Sequence, residues 1–484
     1  MTLTRRFVLK AGLTAGAGVM TAPWELVALG ETITRTRFSA TSPQGQAMLV
    51  KYAKAVGLMM DPTKYPTTDP RSWSFQWYTH WVPGPLAPWS AVAAAKETML
   101  EDDCEHGNPG DPNVFQEEYF CVWHRHFVHN FEDVVRSVLN DQTFTLPYWD
   151  YLSGNVSDLS IPPEFRDQGS PLYRANRNPW VNAGERIDKQ NPGSINLNAL
   201  KEPIYIDAPD GSQGFCPILD SNPHGLVHVF VGNTTNMGRI PFAANDPIFW
   251  LHHANIDRLW ESWSRLPNRS NPNWPSRAFS FADGHGKEVN VVAAEASRTE
   301  LLNYEYDSYA KPAAGRLPLP SRPTSLGATD SISRVMRAFA SQPVTLGTDR
   351  VRVDLAPVTS SADGSIESTF AVSSPSRPLY LVLGGLSASG EVASTYNVFM
   401  ELPEAAANAG PDHPHFVGTL HFFGAAGHDR HGLPAQRVVF NVTDKVRGLM
   451  TNNALTATPS VTLVRHGDPE REKPTIGQVV LIEG

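Results

Sequence analysis

The sequence predicts a mainly α-helical N-terminal domain followed by a smaller all-β C-terminal domain. Three observations support this prediction: apolar residues recur at helical spacing early in the chain, a proline-rich stretch follows, and short β-type runs fill the remainder. We expect the helical domain at residues 31–310, a linker at 311–344 and the β domain at 345–484. Residues 1–30 have the composition of a targeting segment and are set aside from the fold.

The clearest helix of the first domain is predicted to start at Trp123. Phe127, Phe131 and Val135 recur at the spacing of one helix face, and His124 lies on that same face. The apolar side of this helix should pack into the core, so we expect His124 to point inward.

Two more helices are predicted where an acceptor side chain is followed by proline. Asn222 precedes Pro223, and Asp246 precedes Pro247. The acceptor side chain caps the helix, and proline suits the first helical position because its missing N–H would lack a partner there anyway.

The residue pattern changes in the second part of the chain. The stretch after residue 310 contains four prolines among Gly, Ser and Thr, which is typical of a linker. Short β-type runs separated by turn residues then predict a sandwich or barrel, and no internal repeat is evident. The runs are Val351–Leu355, Pro378–Leu383, Val438–Val442, Val461–Val464 and Gln478–Ile482.

Composition excludes several classes of protein. The 484 residues carry a net charge of −9, which argues against a nucleic-acid-binding protein because such proteins need a basic surface. A hydrophobic content of 41% is enough for a large core, which excludes a disordered chain. Three cysteines are too few for a disulfide scaffold, and we expect Cys121 and Cys216 to be small buried groups.

The N-terminal segment resembles a Tat export signal. Arg5 and Arg6 precede a weakly apolar, Gly/Ala-rich run at Ala11–Ala22. The run is shorter than the roughly 20 residues that a permanent membrane span needs. We therefore expect export to the periplasm or beyond, with the signal at residues 1–30 and no stable membrane span.

Histidines are concentrated in the helical domain. His224 and His228 are four residues apart, so both imidazoles can reach one ion from one helix face. His126 and His129 lie about 200° and 140° around their helix from the inward-facing His124, so we expect them in solvent or behind the ligands.

Periodicity does not separate His252 from His253, because both lie near the apolar face of the third helix. Histidines that point inward from several helices are a common way to build a metal site in a helical core. Imidazole ligands suit zinc, copper, iron and nickel, so the ligand type leaves the metal open.

Two motifs resemble those of the tyrosinase and polyphenol oxidase family of type-3 copper proteins. Residues 123–132 read Trp-His-Arg-x-Phe-x-x-x-Phe-Glu, and residues 246–260 read Asp-Pro-Ile-Phe-Trp-Leu-His-His-Ala-Asn-Ile-Asp-Arg-Leu-Trp. His-x-x-x-His at 224–228 completes the second motif. The resemblance implies a four-helix bundle that holds two copper ions.

The resemblance also implies a ligand set. It selects His253 over His252 and implies that Cys104 forms a thioether bond to His106, which lies beside an apparent loop insertion. One copper ion would be bound by His80, His106 and His124, and the other by His224, His228 and His253.

For activity, the resemblance implies copper-dependent oxidation of phenols by O₂. The products would be o-quinones from o-diphenols, with o-hydroxylation of monophenols left in doubt by two positions. Asp220 stands where the family commonly has Glu holding a water, and Gly225 stands where strong hydroxylases often have Asn. Phe249 is expected beneath the site, and Ile240 at the position of a gate residue.

The resemblance extends to the C-terminal domain. Tyr304-Glu305-Tyr306 is similar to the motif that closes the helical domain of plant-type members, whose β domain keeps them latent until the linker is cut. We expect the same latency here. Five histidines of the β domain are expected in solvent or loops, namely His413, His415, His421, His428 and His431.

Other functions are weighed against this one. A hemocyanin-like O₂ carrier would share the site, an o-aminophenol oxidase would share the chemistry, and a mononuclear zinc hydrolase would not need six inward histidines. The expected partners are phenolic small molecules and O₂, without nucleic acid, and an oligomer is compatible with the composition.

Overall fold

The computed structural model of the chain describes residues 35–81, 90–100, 119–207, 213–233, 235–272, 274, 277–312, 335–358, 378–390, 392–406, 409–425, 436–468 and 473–483. The expected export signal at residues 1–30, most of the linker, and Cys104, His106, His428 and His431 lie outside the described residues. A helical part precedes a strand-rich part, so the predicted order of the two fold classes is confirmed.

The described helices are α1 (Pro43–Met59), α2 (Trp73–His80), α3 (Ser90–Met99), α4 (Phe120–Leu139), α5 (Pro179–Asn182), α6 (Phe215–Leu219), α7 (Leu226–Val231), α8 (Ile240–Ala243), α9 (Ile248–Ser264) and α10 (Thr443–Thr451). The described strands are β1 (Arg35–Arg37), β2 (Ala278–Ala282), β3 (Glu288–Val292), β4 (Tyr304–Tyr306), β5 (Val335–Phe339), β6 (Val344–Thr345), β7 (Arg350–Asp354), β8 (Ala356–Pro357), β9 (Leu379–Ser387), β10 (Thr395–Met400), β11 (Phe416–Leu420), β12 (Gln436–Asn441), β13 (Ser460–His466) and β14 (Thr475–Glu483).

Large aromatic side chains hold the long helices together. Phe131 of α4 stacks on Trp250 of α9 with ring centroids 3.5 Å apart. Tyr52 of α1 meets Phe131 edge-on at 6.3 Å, and Trp73 of α2 meets Trp250 at 6.3 Å. Burial of such large rings stabilises this arrangement, and it fixes the positions of the helices that carry the histidines.

A buried charge network closes the helical part. Strand β1 pairs in parallel with β4, which joins the beginning of the described chain to Tyr304 and Tyr306. Arg37 is fully buried, forms ion pairs with Glu132 at 3.1 Å and Asp257 at 3.0 Å, and lies 3.9 Å above the ring of Tyr304. These contacts compensate the charges that burial would otherwise make costly.

Two helix starts were predicted, and one forms as expected. Asp246 accepts a hydrogen bond from the N–H of Ile248 at 3.1 Å, while Arg177 binds the same carboxylate with two nitrogens. At the other start, Asn222 is extended before helical residues but does not cap them, because its amide binds Asn196 and Ser194 instead.

In the strand-rich part, two sheets share one apolar cluster. Their strand orders are β11-β10-β13-β7 and β12-β9-β14-β5-β8, with β6 also paired to β14. Leu381, Leu383, Val398 and Leu463 are fully buried between them. The five strand runs predicted from sequence all lie in these sheets, since the predicted ranges overlap β7, β9, β12, β13 and β14.

The linker differs from its prediction at its C-terminal end. Strand β5 lies within residues 311–344 and β6 begins at residue 344; both pair with β14, so they belong to the β domain. Apolar and polar residues alternate only weakly in these short strands. Only their pairing with β14, the last strand of the chain, identifies them as strands of a sheet.

The two parts meet through buried polar contacts. Asn191 of the helical part donates to Asn397 of β10 at 2.8 Å, and both side chains are fully buried. Arg437 of β12 pairs with Asp207 at 2.5 Å. Among the helices of the described ranges, none is both long and apolar enough to cross a bilayer.

Candidate metal centre

Four histidines of the helical domain converge on one point. His224, His228, His252 and His253 are all buried, and each offers a ring nitrogen within 4.8 Å of the others. His224 precedes α7, His228 lies in α7, and the other two are neighbours in α9. The predicted pairing of His224 with His228 on one helix face is therefore what brings the first two together.

The nitrogens in this cluster have the environment of metal ligands. Within the described ranges, His228 Nε2, His252 Nε2 and both nitrogens of His253 are buried and have no hydrogen-bond partner. Buried polar atoms of this kind are costly unless something binds them. A metal ion bound by one nitrogen of each ring would remove most of that cost, so the residues fit a metal site.

Electrostatics keep the imidazoles neutral. Burial, together with neighbouring imidazoles, lowers the pKa of His228, His252 and His253 well below the ordinary value of 6.5. The neutral imidazole is the form that binds a metal ion, so no proton has to be displaced at neutral pH.

Hydrogen bonds orient two of the rings. His228 Nδ1 donates to the carbonyl of Met237 at 2.8 Å, and His224 Nδ1 lies 2.8 Å from a carboxylate oxygen of Asp220. Binding through Nδ1 fixes the tautomer and leaves Nε2 for the metal. Asp220, which stands where the family commonly has a Glu holding a water, contacts His224 directly.

A second group of histidines lies beside this cluster. His80 is the last residue of α2, and its ring lies 5.7 Å from that of His124 in α4. The ring of His124 stacks on that of His253 at 4.3 Å, and its Nδ1 donates to Phe120 O at 2.8 Å. Of the three ligands expected for the first ion, the structure brings together His80 and His124, while His106 lies outside the described residues.

The two neighbours in α9 have different surroundings. His253 lies between the two groups, 4.3 Å from His124 and 5.0 Å from His224. His252 lies 3.1 Å from the hydroxyl of Tyr151 through Nδ1 and stacks on His224 at 5.4 Å. Sequence reasoning did not find Tyr151, because it comes from a loop distant in sequence and no local pattern marks it.

Comparison with known proteins now adds a family. The profile of the common central domain of tyrosinase matches residues 70–192 and 174–266, which include every described histidine of the two groups. The central part of the chain, residues 70–266, is therefore similar to the common central domain of tyrosinase.

Relatives of known sequence support this similarity to tyrosinase. A tyrosinase, HcTyr1, from Hahella sp. is 31% identical over 279 residues, which cover 49% of this chain and 56% of the relative. Catechol oxidase B of Solanum tuberosum is 28% identical, over 46% of this chain and 43% of the relative. The chain thus matches about half the length of these curated relatives.

Solved structures share the fold over nearly the whole chain. Latent apple tyrosinase superposes with a TM-score of 0.60 at 21% identity, covering 93% of this chain and 97% of its own. Recombinant latent aurone synthase superposes with a TM-score of 0.59 at 20% identity, covering 94% and 89%. The fold of a tyrosinase domain followed by a sheet-rich domain is therefore shared.

Three further residues are expected in such a site, and one of them, Phe249, packs against its histidines. The ring of Phe249 lies 4.1 Å from that of His253 and 4.9 Å from that of His80, so it packs against both groups. Ile240 begins α8 and faces Gly424 of the β domain. Gly225 directly follows His224.

Expectations for two histidines of α4 are wrong in one respect. His126 is buried instead of solvated, and its Nε2 donates to the carbonyl of Val292 at 3.1 Å. His129 is half-buried beside the ring of Tyr304, and burial lowers its pKa to about 3. The strands β2 and β3 and the segment after them cover this face of α4, which helix periodicity alone cannot predict.

The β domain contributes two residues that sequence reasoning missed. His421, expected in solvent or a loop, is buried beside Gly225. Phe423 stacks on the ring of His228 with centroids 4.5 Å apart and an interplanar angle of 17°. The run at 421–423 has no helical or strand period, so no sequence pattern could assign it to the metal centre.

Proposed function

We propose that this chain is a dicopper enzyme that oxidises phenols with O₂. The observation that carries the proposal is the cluster of buried, neutral imidazoles with unsatisfied nitrogens in a tyrosinase domain. Imidazole ligands suit copper, and the relatives named tyrosinase and catechol oxidase support the reaction class.

The ligands would come from a bundle of four helices. His80, His106 and His124 would bind one copper ion, and the second would be bound by His224, His228 and His253. When bound, the copper pair would supply O₂ activation and the two-electron oxidation of a phenol.

Residues of the chain would position this chemistry. Asp220 and the carbonyl of Met237 hold His224 and His228 through Nδ1, at 2.8 Å each. Phe249 fills the space between the two groups and excludes water from that side. Such support keeps ligand rings in place as substrate enters.

Oxidation of o-diphenols to o-quinones is the main proposed reaction, with o-hydroxylation of monophenols as a slower one. Gly225 offers no side-chain amide, and Asp220 is shorter than Glu and is engaged with His224, so little help is available for deprotonating a monophenol. One relative, 28% identical over 58% of this chain, is named aureusidin synthase (Antirrhinum majus) and not tyrosinase or catechol oxidase.

Steady-state kinetics of the copper-loaded, protease-treated chain test this proposal. Catechol should be oxidised with O₂ uptake, and tyramine more slowly after a lag. Reversible O₂ binding without turnover of catechol would favour the hemocyanin-like alternative, and faster turnover of o-aminophenol than of catechol would favour an o-aminophenol oxidase.

We further propose that the β domain keeps the enzyme latent. The ring of Phe423 lies parallel to that of His228 and is only 6% exposed, so a phenol cannot occupy that face while the domain is docked. The connection that would be cut is residues 311–334. Phe423→Ala should raise catechol oxidation by the uncut chain several-fold, whereas Phe416→Ala, elsewhere in the β domain, should not. Equal rates in both variants would contradict latency.

Export through a Tat-type pathway is the proposed route for the folded protein. The twin arginines at residues 5 and 6 support it. Replacing both with lysine should leave the protein in the cytoplasmic fraction of a bacterial host, and unchanged export would contradict the proposal.

A further inference from the structure

The segment that follows β11 brings an imidazole of the β domain onto the helical domain. His421 is 5% exposed, and its Nε2 lies 2.9 Å from the carbonyl of Ser221. The backbone N–H of Phe423 lies 3.2 Å from its Nδ1. Since an N–H must donate and a carbonyl must accept, Nδ1 is the acceptor and Nε2 carries the proton. Both ring nitrogens are therefore used, and the ring has one orientation.

Gly225 leaves the space that this ring occupies. A Cβ atom built on Gly225 would lie 2.4 Å from Cε1 and 2.5 Å from Nε2 of His421. Contacts this short do not occur between real atoms, so any side chain at 225 would exclude the imidazole from its position.

The backbone of Gly225 gives no other reason for a glycine. Its φ of −61° and ψ of −35° are ordinary helical values, which any residue adopts. Alanine is a better helix former than glycine at such a position. Close approach of His421 is the structural feature that requires glycine here.

A second close approach lies beside the first. Gly424 has a φ of +74°, and a Cβ atom there would come within 2.8 Å of Cδ1 of Ile240. Two glycines, one from each domain, thus allow the segment 421–424 to lie flat against the residues that surround His224 and His228.

We propose that Ser221 and Gly225 form an imidazole-binding seat on the helical domain, and that His421 occupies it to hold Phe423 over His228. The seat is the contact that holds the segment 421–424 against the residues around His224 and His228. The effect of the seat on activity rests on the proposed latency, but the docking of His421 itself needs neither bound copper nor activity.

Hydrogen–deuterium exchange on the full, metal-free chain tests the seat. Gly225→Ala should raise the exchange of the amides at residues 419–425 by about tenfold or more, because the segment can no longer pack. The matched control is Gly410→Ala, where an added Cβ meets no atom within 4 Å. Equal exchange in the two variants would overturn the proposal.

A double variant separates the clash from a general folding defect. In Gly225→Ala with His421→Gly, the imidazole is absent, and with it the three atoms that lie nearest to the added methyl group. Exchange of the segment and the yield of folded protein should match those of His421→Gly alone. If Gly225→Ala misfolds and the double variant misfolds equally, the defect lies within the helix and the seat is refuted.

Activity then distinguishes the seat from latency. With copper bound, the ratio of catechol oxidation before protease treatment to that after treatment should rise for Gly225→Ala. If exchange rises and this ratio does not, the seat stands and the proposed latency fails. If exchange does not rise, the seat fails whatever the ratio.

Discussion

Replacing Arg37 tests whether the buried charge network stabilises the helical domain. The side chain is fully buried and forms ion pairs with Glu132 at 3.1 Å and Asp257 at 3.0 Å. It also donates to the hydroxyl of Tyr306 at 3.0 Å. Arg37→Met keeps an unbranched side chain of comparable volume while it removes the positive charge and the donors.

The structure sets the size of the effect. After the change, Glu132 keeps Arg136 at 3.5 Å, and Asp257 keeps its pair with Arg125. Each carboxylate is thus weakened but not isolated. Removing one partner from a buried ion pair costs about 3–5 kcal/mol, so the lower end, about 3 kcal/mol, is expected. A loss of this size lowers the unfolding midpoint of a domain of about 280 residues by roughly 5 °C, since the unfolding entropy is about 2.1 cal/mol/K per residue.

Differential scanning calorimetry measures this change, with the transition of the β domain as an internal reference. Arg352→Met is the matched control, because Arg352 pairs with Asp354 at 3.0 Å on the surface, where such a pair contributes about 0–1 kcal/mol. The shift that Arg37→Met causes in the midpoint of the helical domain is compared with the shift that Arg352→Met causes in the midpoint of the β domain. If the first shift is no larger than the second, the network is not a major source of stability.

Three further outcomes are expected. Burial alone would raise the pKa of Glu132, but Arg37 and the other groups around the carboxylate lower this pKa from 4.5 to about 2. The ionised Glu132 therefore stabilises the folded state above pH 4.5, and this contribution is lost as the pH falls towards 2. Glu132→Gln should remove up to about 3 kcal/mol of that acid dependence in urea unfolding, and an unchanged dependence would contradict the assignment. His253→Ala should halve the copper content measured by mass spectrometry, whereas Tyr151→Phe should leave it unchanged. Loss of copper in Tyr151→Phe alone would identify His252, which contacts Tyr151, as the ligand. Intact mass should be lower by two hydrogens if Cys104 forms the thioether, and three alkylated cysteines after denaturation would exclude that bond.

Local patterns predicted a large part of the fold and of the site. The apolar face around His124 and the spacing of His224 and His228 placed three imidazoles inside the helical domain, because helix periodicity decides which side chains share a face. The strand runs after residue 345 were found for the same reason, since burial on one side of a sheet leaves a pattern in the sequence.

Positions that depend on distant packing were missed or left open. His252 and His253 differ only in their neighbours, namely Tyr151 for one and His124 for the other. His126 is buried because residues far along the chain cover it, among them Val292, whose carbonyl it contacts. The start of the β domain depends on pairing with the final strand.

The sequence by itself determined the helical and β parts of this protein and the histidines that a metal centre would use, because those features follow from the period of a helix and the chemistry of imidazole. Only the tertiary structure decided what surrounds them. A docked β domain brings His421 and Phe423 to Gly225 and His228. The physical reason is that such contacts form between surfaces far apart in sequence, and neither surface carries a repeating pattern that reports its partner.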